Sequence, residues 1–156
     1  MKTQFRAPWD LLLITITAGL ILFFGGLQYA ASNLFVTILL WSVVLGCAFF
    51  GVYGYSIQDG KLKILRLGWS KDIQLSRIRK AEYKPNAMMG SLRKFGIGGV
   101  FGYIGHFRNS ILGSYKAYAT HTQKTVVLYT KNEQIVLSPK DPTSFINSLT
   151  IAIERS

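Results

Sequence analysis

Two uncharged apolar runs, Leu11 to Leu27 (LLLITITAGLILFFGGL) and Leu34 to Val52 (LFVTILLWSVVLGCAFFGV), constrain this chain more than any other feature. Neither contains Asp, Glu, Lys, Arg or His, and the connection from Gln28 to Asn33 is uncharged as well. At a rise of about 1.5 Å per residue, an apolar helix of about 20 residues crosses a hydrocarbon core about 30 Å thick. The runs are 17 and 19 residues long, and Tyr29, Ala30 and Ala31 can lengthen either end. Backbone polar groups find no water in lipid, so segments of this kind are expected to be helices. The short connection makes them an antiparallel hairpin. The expected organisation is a tail over 1–10, two membrane helices within 11–52 (about 11–31 and 34–52), and a domain over 53–156.

Charge bias orients the hairpin. Lys2 and Arg6 precede the first run, Lys61, Lys63, Arg66 and Lys71 follow the second, and the loop between them has no basic residue. By the positive-inside rule both termini face the cytoplasm. Trp9, Tyr53 and Tyr55 suit the inner boundary, and Tyr29 the outer one. Pro8 and Asp10 suit a helix start. Gly19, Gly25 and Gly26 on one helix, with Ser42, Gly46 and Gly51 on the other, permit close backbone approach. A secretory signal ending at Ala30-Ala31-Ser32 is the competing reading. The apolar run is longer than a usual signal core, and a second run begins two residues after such a cut.

The residues after the spans suffice for one compact domain. From Tyr53 onward there are 16 Lys and Arg against 6 Asp and Glu, which accounts for nearly all of the chain's net charge of +11. The single cysteine, Cys47, lies inside the second run and cannot pair within its own chain, so there is no disulfide framework.

The pattern then changes to short alternating runs with no linker. Tyr53 to Gln58 and Leu62 to Leu67 flank Asp59-Gly60, a dipeptide suited to a type I′ hairpin turn. Asp72 to Leu75 and Ile78 to Tyr83 read as two further strands, and Tyr115 to Thr120, Lys124 to Thr130 and Gln134 to Ser138 as three more. Between these groups runs a glycine-rich connection, Lys84 to Ser114. Asp141 as N-cap and Pro142 at the first position open a last helix, with Phe145, Leu149 and Ile153 as its apolar stripe.

Four strands, a long connection, three strands and a capping helix follow the order of a pleckstrin-homology-like (PH-like) domain. The stretch RKFGIGGVFGYIGHF from Arg93 to Phe107, then Gly113, Tyr118-Ala119-Thr120, Ile135 to Pro139, Asp141-Pro142 and Phe145, resembles the bacterial PH-like domain family. The resemblance covers Tyr53 to Leu149. It implies a seven-strand bent barrel capped by the C-terminal helix, behind a two-helix anchor in a bacterial plasma membrane. It implies no catalysis, no cofactor and no assigned ligand residues.

Residue patterns that carry chemistry are mostly absent from the sequence. His106 and His121 have neither a thiol nor a nearby carboxylate to complete a metal set. The domain carboxylates fall in turns, at a cap or at the chain end, apart from Asp72 and Glu82, which nothing pairs as acid and base. No Gly-x-Ser-x-Gly turn is present. Gly96 to Gly102 echoes a dinucleotide fingerprint, but the acidic residue such a site needs about 20 positions on is replaced by Lys116. No helix-turn-helix, RNP-type or zinc spacing points to specific nucleic-acid binding.

What remains is a cationic domain held beneath a leaflet whose anionic lipids attract each nearby Lys or Arg by about 1 kcal/mol. The expected function is a non-catalytic, membrane-anchored binding module that engages anionic headgroups or a membrane-protein partner. The alternative is an accessory subunit of a membrane complex that binds through the helix hairpin. The candidate contact residues are Arg93, Lys94, Phe95, Phe101 and Tyr103, from the connection whose length and apolar content set it apart from an ordinary loop.

Overall fold

The computed structural model describes residues 3–30 and 33–155. Lys2, Ala31, Ser32 and Ser156 therefore lie outside the described residues, as do the helix extension through Ala31 and the Ala30-Ala31-Ser32 triplet. The first apolar run forms helix α1, Leu11–Ala30, and the second forms α2, Leu34–Phe50. α1 is long and apolar enough to cross a membrane; α2 is a shorter apolar helix. The second run was expected to be helical through Val52, but the helix stops at Phe50. Gly51 is extended, and Val52 already pairs in a sheet. Asn33 caps α2 by accepting the Phe35 amide at 3.0 Å, and Trp41 Nε1 donates to Gln28 Oε1 at 3.0 Å between the helices.

Ten strands are present among the described residues where seven were expected. The first sheet holds β1 (Gln4–Arg6), β2 (Val52–Gln58), β3 (Lys61–Arg66) and β4 (Ser70–Gln74), in that order. The second holds β5 (Ile78–Tyr83), β6 (Leu92–Gly98), β7 (Tyr103–Asn109), β8 (Gly113–Ala119), β9 (Val126–Thr130) and β10 (Gln134–Leu137). Its order is β5-β9-β10-β8-β7-β6, antiparallel except for the β8–β10 pair. A 3₁₀ turn, Leu75–Arg77, joins the sheets, and α3 (Pro142–Glu154) closes the chain.

Where local chemistry is strong, the expected elements appear. Asp59 and Gly60 have φ of 54° and 67°, as a type I′ turn between β2 and β3 requires. Asp141 accepts the Ser144 amide at 3.1 Å, and α3 begins at Pro142. The extra strands have two sources. Gln4 to Arg6 add to the edge of β2, with Phe5 buried in the core. The connection from Lys84 to Ser114 is largely a hairpin, β6–β7, stacked on β8. Gly96 and Gly105 face each other in it at φ of 115° and 131°, and a Cβ on either would meet the other strand's backbone. These glycines permit the pairing and also remove the alternation by which a strand is read.

The core lies between the sheets. Tyr55, Leu62, Ile64, Leu128, Leu137, Phe145 and Leu149 are fully buried there. Phe145, on α3, packs edge-on against Phe5 at 5.2 Å and Tyr55 at 5.9 Å. Tyr55 also links the sheets: its hydroxyl donates to the Tyr118 carbonyl at 2.7 Å and accepts the Ser138 amide at 3.0 Å. Burial pushes its pKa up to about 12, against the Ser138 hydrogen bond. A second cluster, including Met88, Tyr103, Phe107, Tyr115 and Val136, covers the other face of the larger sheet and takes in Leu13 from α1.

Candidate functional site

The two-sheet domain joins the helices through several contacts at one end. Pro8 and Asp10 lead into α1, and the segment after β8 grips both. The Thr120 hydroxyl donates to the Pro8 carbonyl at 2.7 Å, and the Asp10 amide donates to the Thr120 carbonyl at 3.0 Å. The Asp10 carboxylate caps α1 by accepting the Leu13 amide at 2.7 Å. Its other oxygen accepts the Thr122 amide at 2.9 Å and the Thr122 hydroxyl at 3.0 Å. A carboxylate only 8% exposed is thus satisfied by three donors. Beside it His121 Nδ1 accepts the Gln123 amide at 3.2 Å, which places the proton of the neutral ring on Nε2. Burial and Lys124 lower the His121 pKa, and Asp10 opposes them.

The tip of the β6–β7 hairpin rests on α1. The Phe101 amide donates to the Thr17 hydroxyl oxygen at 3.2 Å, and the Phe101 ring packs edge-on against Trp9 at 5.7 Å. Thr17 lies six residues beyond Leu11, about 9 Å along the helix. Gly99 has φ of 106°, and a Cβ there would stand 3.0 Å from Ile16 Cδ1. The β3–β4 tip meets α2 in the same manner. Trp69 stacks on Phe49 at 6.2 Å and meets Phe50 edge-on at 5.6 Å. The Arg66 guanidinium lies over Trp69 at 4.3 Å and Tyr118 at 5.3 Å, and its pKa is lowered chiefly by burial.

The five expected contact residues divide between three places. Phe101 is at the α1 joint. Arg93 and Tyr103 line one small cavity of about 200 Å³, together with Ser91, Phe107 and Thr122. The Tyr103 hydroxyl is buried with no hydrogen-bond partner among the described residues, and burial together with Asp10 pushes its pKa up to about 12. Lys94 sits at the irregularity between Arg93 and Phe95 and donates to Ser114 Oγ at 3.3 Å on β8. Phe95 is 77% exposed on the edge strand. Sequence reasoning missed Thr17, Arg66, Trp69 and Thr122. Leu67-Gly68-Trp69 carried a usable signal, a turn glycine beside an aromatic just after the apolar run; the pairing of Asp10 with Thr122, 112 residues apart, carried none.

Among the described residues, no three His, Cys, Asp or Glu side chains gather as a metal site. The two sheets closed by a C-terminal helix invite comparison with known families, and a model described as bacterial PH domain matches residues 53–153. The chain belongs to that family. No curated protein and no solved structure matches it. PH domains are in general non-catalytic binding modules, and this bacterial PH domain follows an apolar helix with the length and composition of a membrane span.

Proposed function

We propose that this protein is a membrane-anchored, non-catalytic binding module of a bacterial plasma membrane. In this reading α1 and α2 form the anchor, both termini are cytoplasmic, and the PH domain works at the inner leaflet. The observation that carries it is the joint: Phe101 and Gly99 rest on α1, Trp69 rests on the end of α2, and Asp10 binds the barrel to the helix start. A domain fastened in this way sits at the level where the helices would leave the bilayer. Two single-cysteine variants made in a Cys47→Ala background test the topology. Tyr29→Cys should react with an impermeant thiol reagent on intact cells, and Lys131→Cys should not. Reaction of Lys131→Cys from outside would reverse the orientation.

The contact itself is assigned to β6, with Arg93 and Lys94 meeting anionic headgroups beside Phe95. Support comes from their exposure and from their place on the hairpin whose tip reaches α1. The contact requires β6 to lie along the bilayer surface. A photo-crosslinking side chain at Phe95, in the full chain reconstituted in anionic nanodiscs, should yield lipid adducts. Two basic residues at about 1 kcal/mol each should make the yield salt-sensitive and strongly reduced by Arg93→Glu with Lys94→Glu. One observation favours a second reading: Met89, Leu92 and Phe95 are 70%, 77% and 77% exposed on or beside an edge strand, a surface suited to a protein partner. Adducts to protein in cell membranes, with none to lipid, would select it. The exposed apolar faces of α1 and α2 would serve an accessory-subunit role in the same reading.

A further inference from the structure

The small cavity of about 200 Å³ lies on the face of the larger sheet that carries Tyr103 and Phe107. Its walls are held in place from behind. Asn109 Nδ2 donates to the Ala87 carbonyl at 2.7 Å and to Ser91 Oγ at 3.0 Å, which pins the segment carrying Met88 and Ser91 to β7. Ser91 Oγ also bonds the Tyr115 hydroxyl at 2.6 Å, and the Tyr115 ring stacks on Phe107 at 6.0 Å. Thr122, on the same cavity, is fixed by its two bonds to Asp10. A site whose walls are fixed in this way loses little freedom when a ligand enters.

Two donors on this cavity lack a protein acceptor. Tyr103 is only 8% exposed, and its hydroxyl has no hydrogen-bond partner among the described residues. A buried polar atom in that state is exceptional in a folded protein. Asp10 raises the Tyr103 pKa through its charge, yet the Asp10 oxygens are already taken by the Leu13 amide and by Thr122. The second donor is Arg93, which makes no ion pair among the described residues. Its side chain lies along the hairpin toward Gly98, where an added Cβ would stand 3.3 Å from Arg93 Cδ and 3.7 Å from Nη1. Gly98 is not at positive φ, so the missing side chain supplies room for Arg93 and not backbone freedom.

A hydroxyl and a guanidinium that both need acceptors match the two oxygens of one carboxylate, with charge assistance from the arginine. Met88 and Phe107, both buried, add an apolar wall. The volume is below the usual range of about 300–1,000 Å³ for drug-sized ligands, and one cation suits one negative charge, not several. We propose that this cavity binds a small monocarboxylate with a short aliphatic tail, its carboxylate between Tyr103 and Arg93 and its tail against Met88 and Phe107. The site goes beyond the headgroup contact proposed for β6 and does not rest on it: Lys94 and Phe95 do not line the cavity.

The test uses the full chain in zwitterionic detergent free of anionic lipid, with propionate as probe and saturation-transfer NMR titration as readout. Propionate should bind saturably, and propionamide, of the same shape without the charge, should bind about tenfold more weakly or worse. Tyr103→Phe and Arg93→Gln should each weaken propionate by about tenfold or more, since each removes one donor to the carboxylate. Lys94→Gln removes the same charge one position along and should leave the affinity within about twofold, a small step on the same scale. Tyr103→Phe deletes a hydroxyl with no protein partner, so its melting temperature without propionate should not fall. A fall would show that the hydroxyl serves the fold, and would overturn the proposal. So would absence of saturable propionate binding, equal affinity for propionamide, wild-type affinity in Tyr103→Phe or Arg93→Gln, or equal weakening by Arg93→Gln and Lys94→Gln.

Discussion

The Phe101 amide donates to the hydroxyl oxygen of Thr17 at 3.2 Å, joining residues 84 apart between the β6–β7 hairpin and an apolar helix. Together with the Asp10 contacts, it makes the helix and the domain one packed unit. A domain held only by the covalent chain would be free to swing; here the joint restricts that freedom.

Gly99→Val should loosen this joint. The residue is at φ of 106°, and a Cβ would press on Ile16 at 3.0 Å. β-branched residues resist positive φ, so a cost of about 1–3 kcal/mol is expected. The Trp9–Phe101 ring contact supplies the readout: the Trp9 near-ultraviolet circular dichroism should diminish. An unchanged spectrum and melting temperature would mean that the tip is not seated on α1.

Asp10→Ala removes a helix cap and leaves the Thr122 donors without an acceptor. Loss of a cap costs about 1 kcal/mol, and stranded buried donors about 1–3 kcal/mol more. Thr122→Val removes only the hydroxyl bond and should cost less. Chemical denaturation of the full chain in detergent should rank the variants in that order.

Tyr55→Phe should cost about 1–3 kcal/mol, because the Tyr118 carbonyl and Ser138 amide lose their buried partner. The folded pKa of Tyr55 is about 12, above its ordinary value of 10.0. The folded state therefore holds this proton more tightly than the unfolded state does. The stabilisation is complete below about pH 10 and is lost as pH rises through about 12. Melting temperature against pH should fall in that window, and less steeply in Tyr55→Phe.

Phe145→Ala should be the most damaging of these changes, at about 3–5 kcal/mol for an aromatic core truncation. The ring is fully buried against Phe5 and Tyr55, so it ties α3 to both β1 and β2. A melting temperature within a degree or two of wild type would show that α3 is not docked in this way.

Elements whose cause is local were legible in the residues alone. The uncharged runs dictate apolar helices, Asp59-Gly60 dictates a tight turn, and Asp141-Pro142 with Phe145 and Leu149 dictates a capped amphipathic helix. Each depends on backbone sterics or burial within a few positions. The β6–β7 hairpin escaped that reading because Gly96 and Gly105 have no side chain to mark a face, and they pair only with each other across the strands. β1 escaped it because three residues form a strand only when β2 offers an edge. Among the site residues, Arg93 and Tyr103 were recognisable by type, but their shared cavity depends on the hairpin register. The clamp of Asp10 on Thr122 and the seating of Phe101 on Thr17 were decided by tertiary structure alone. Such contacts carry no periodicity or spacing along the chain, and they arise only when the two sheets close around Tyr55 and Phe145.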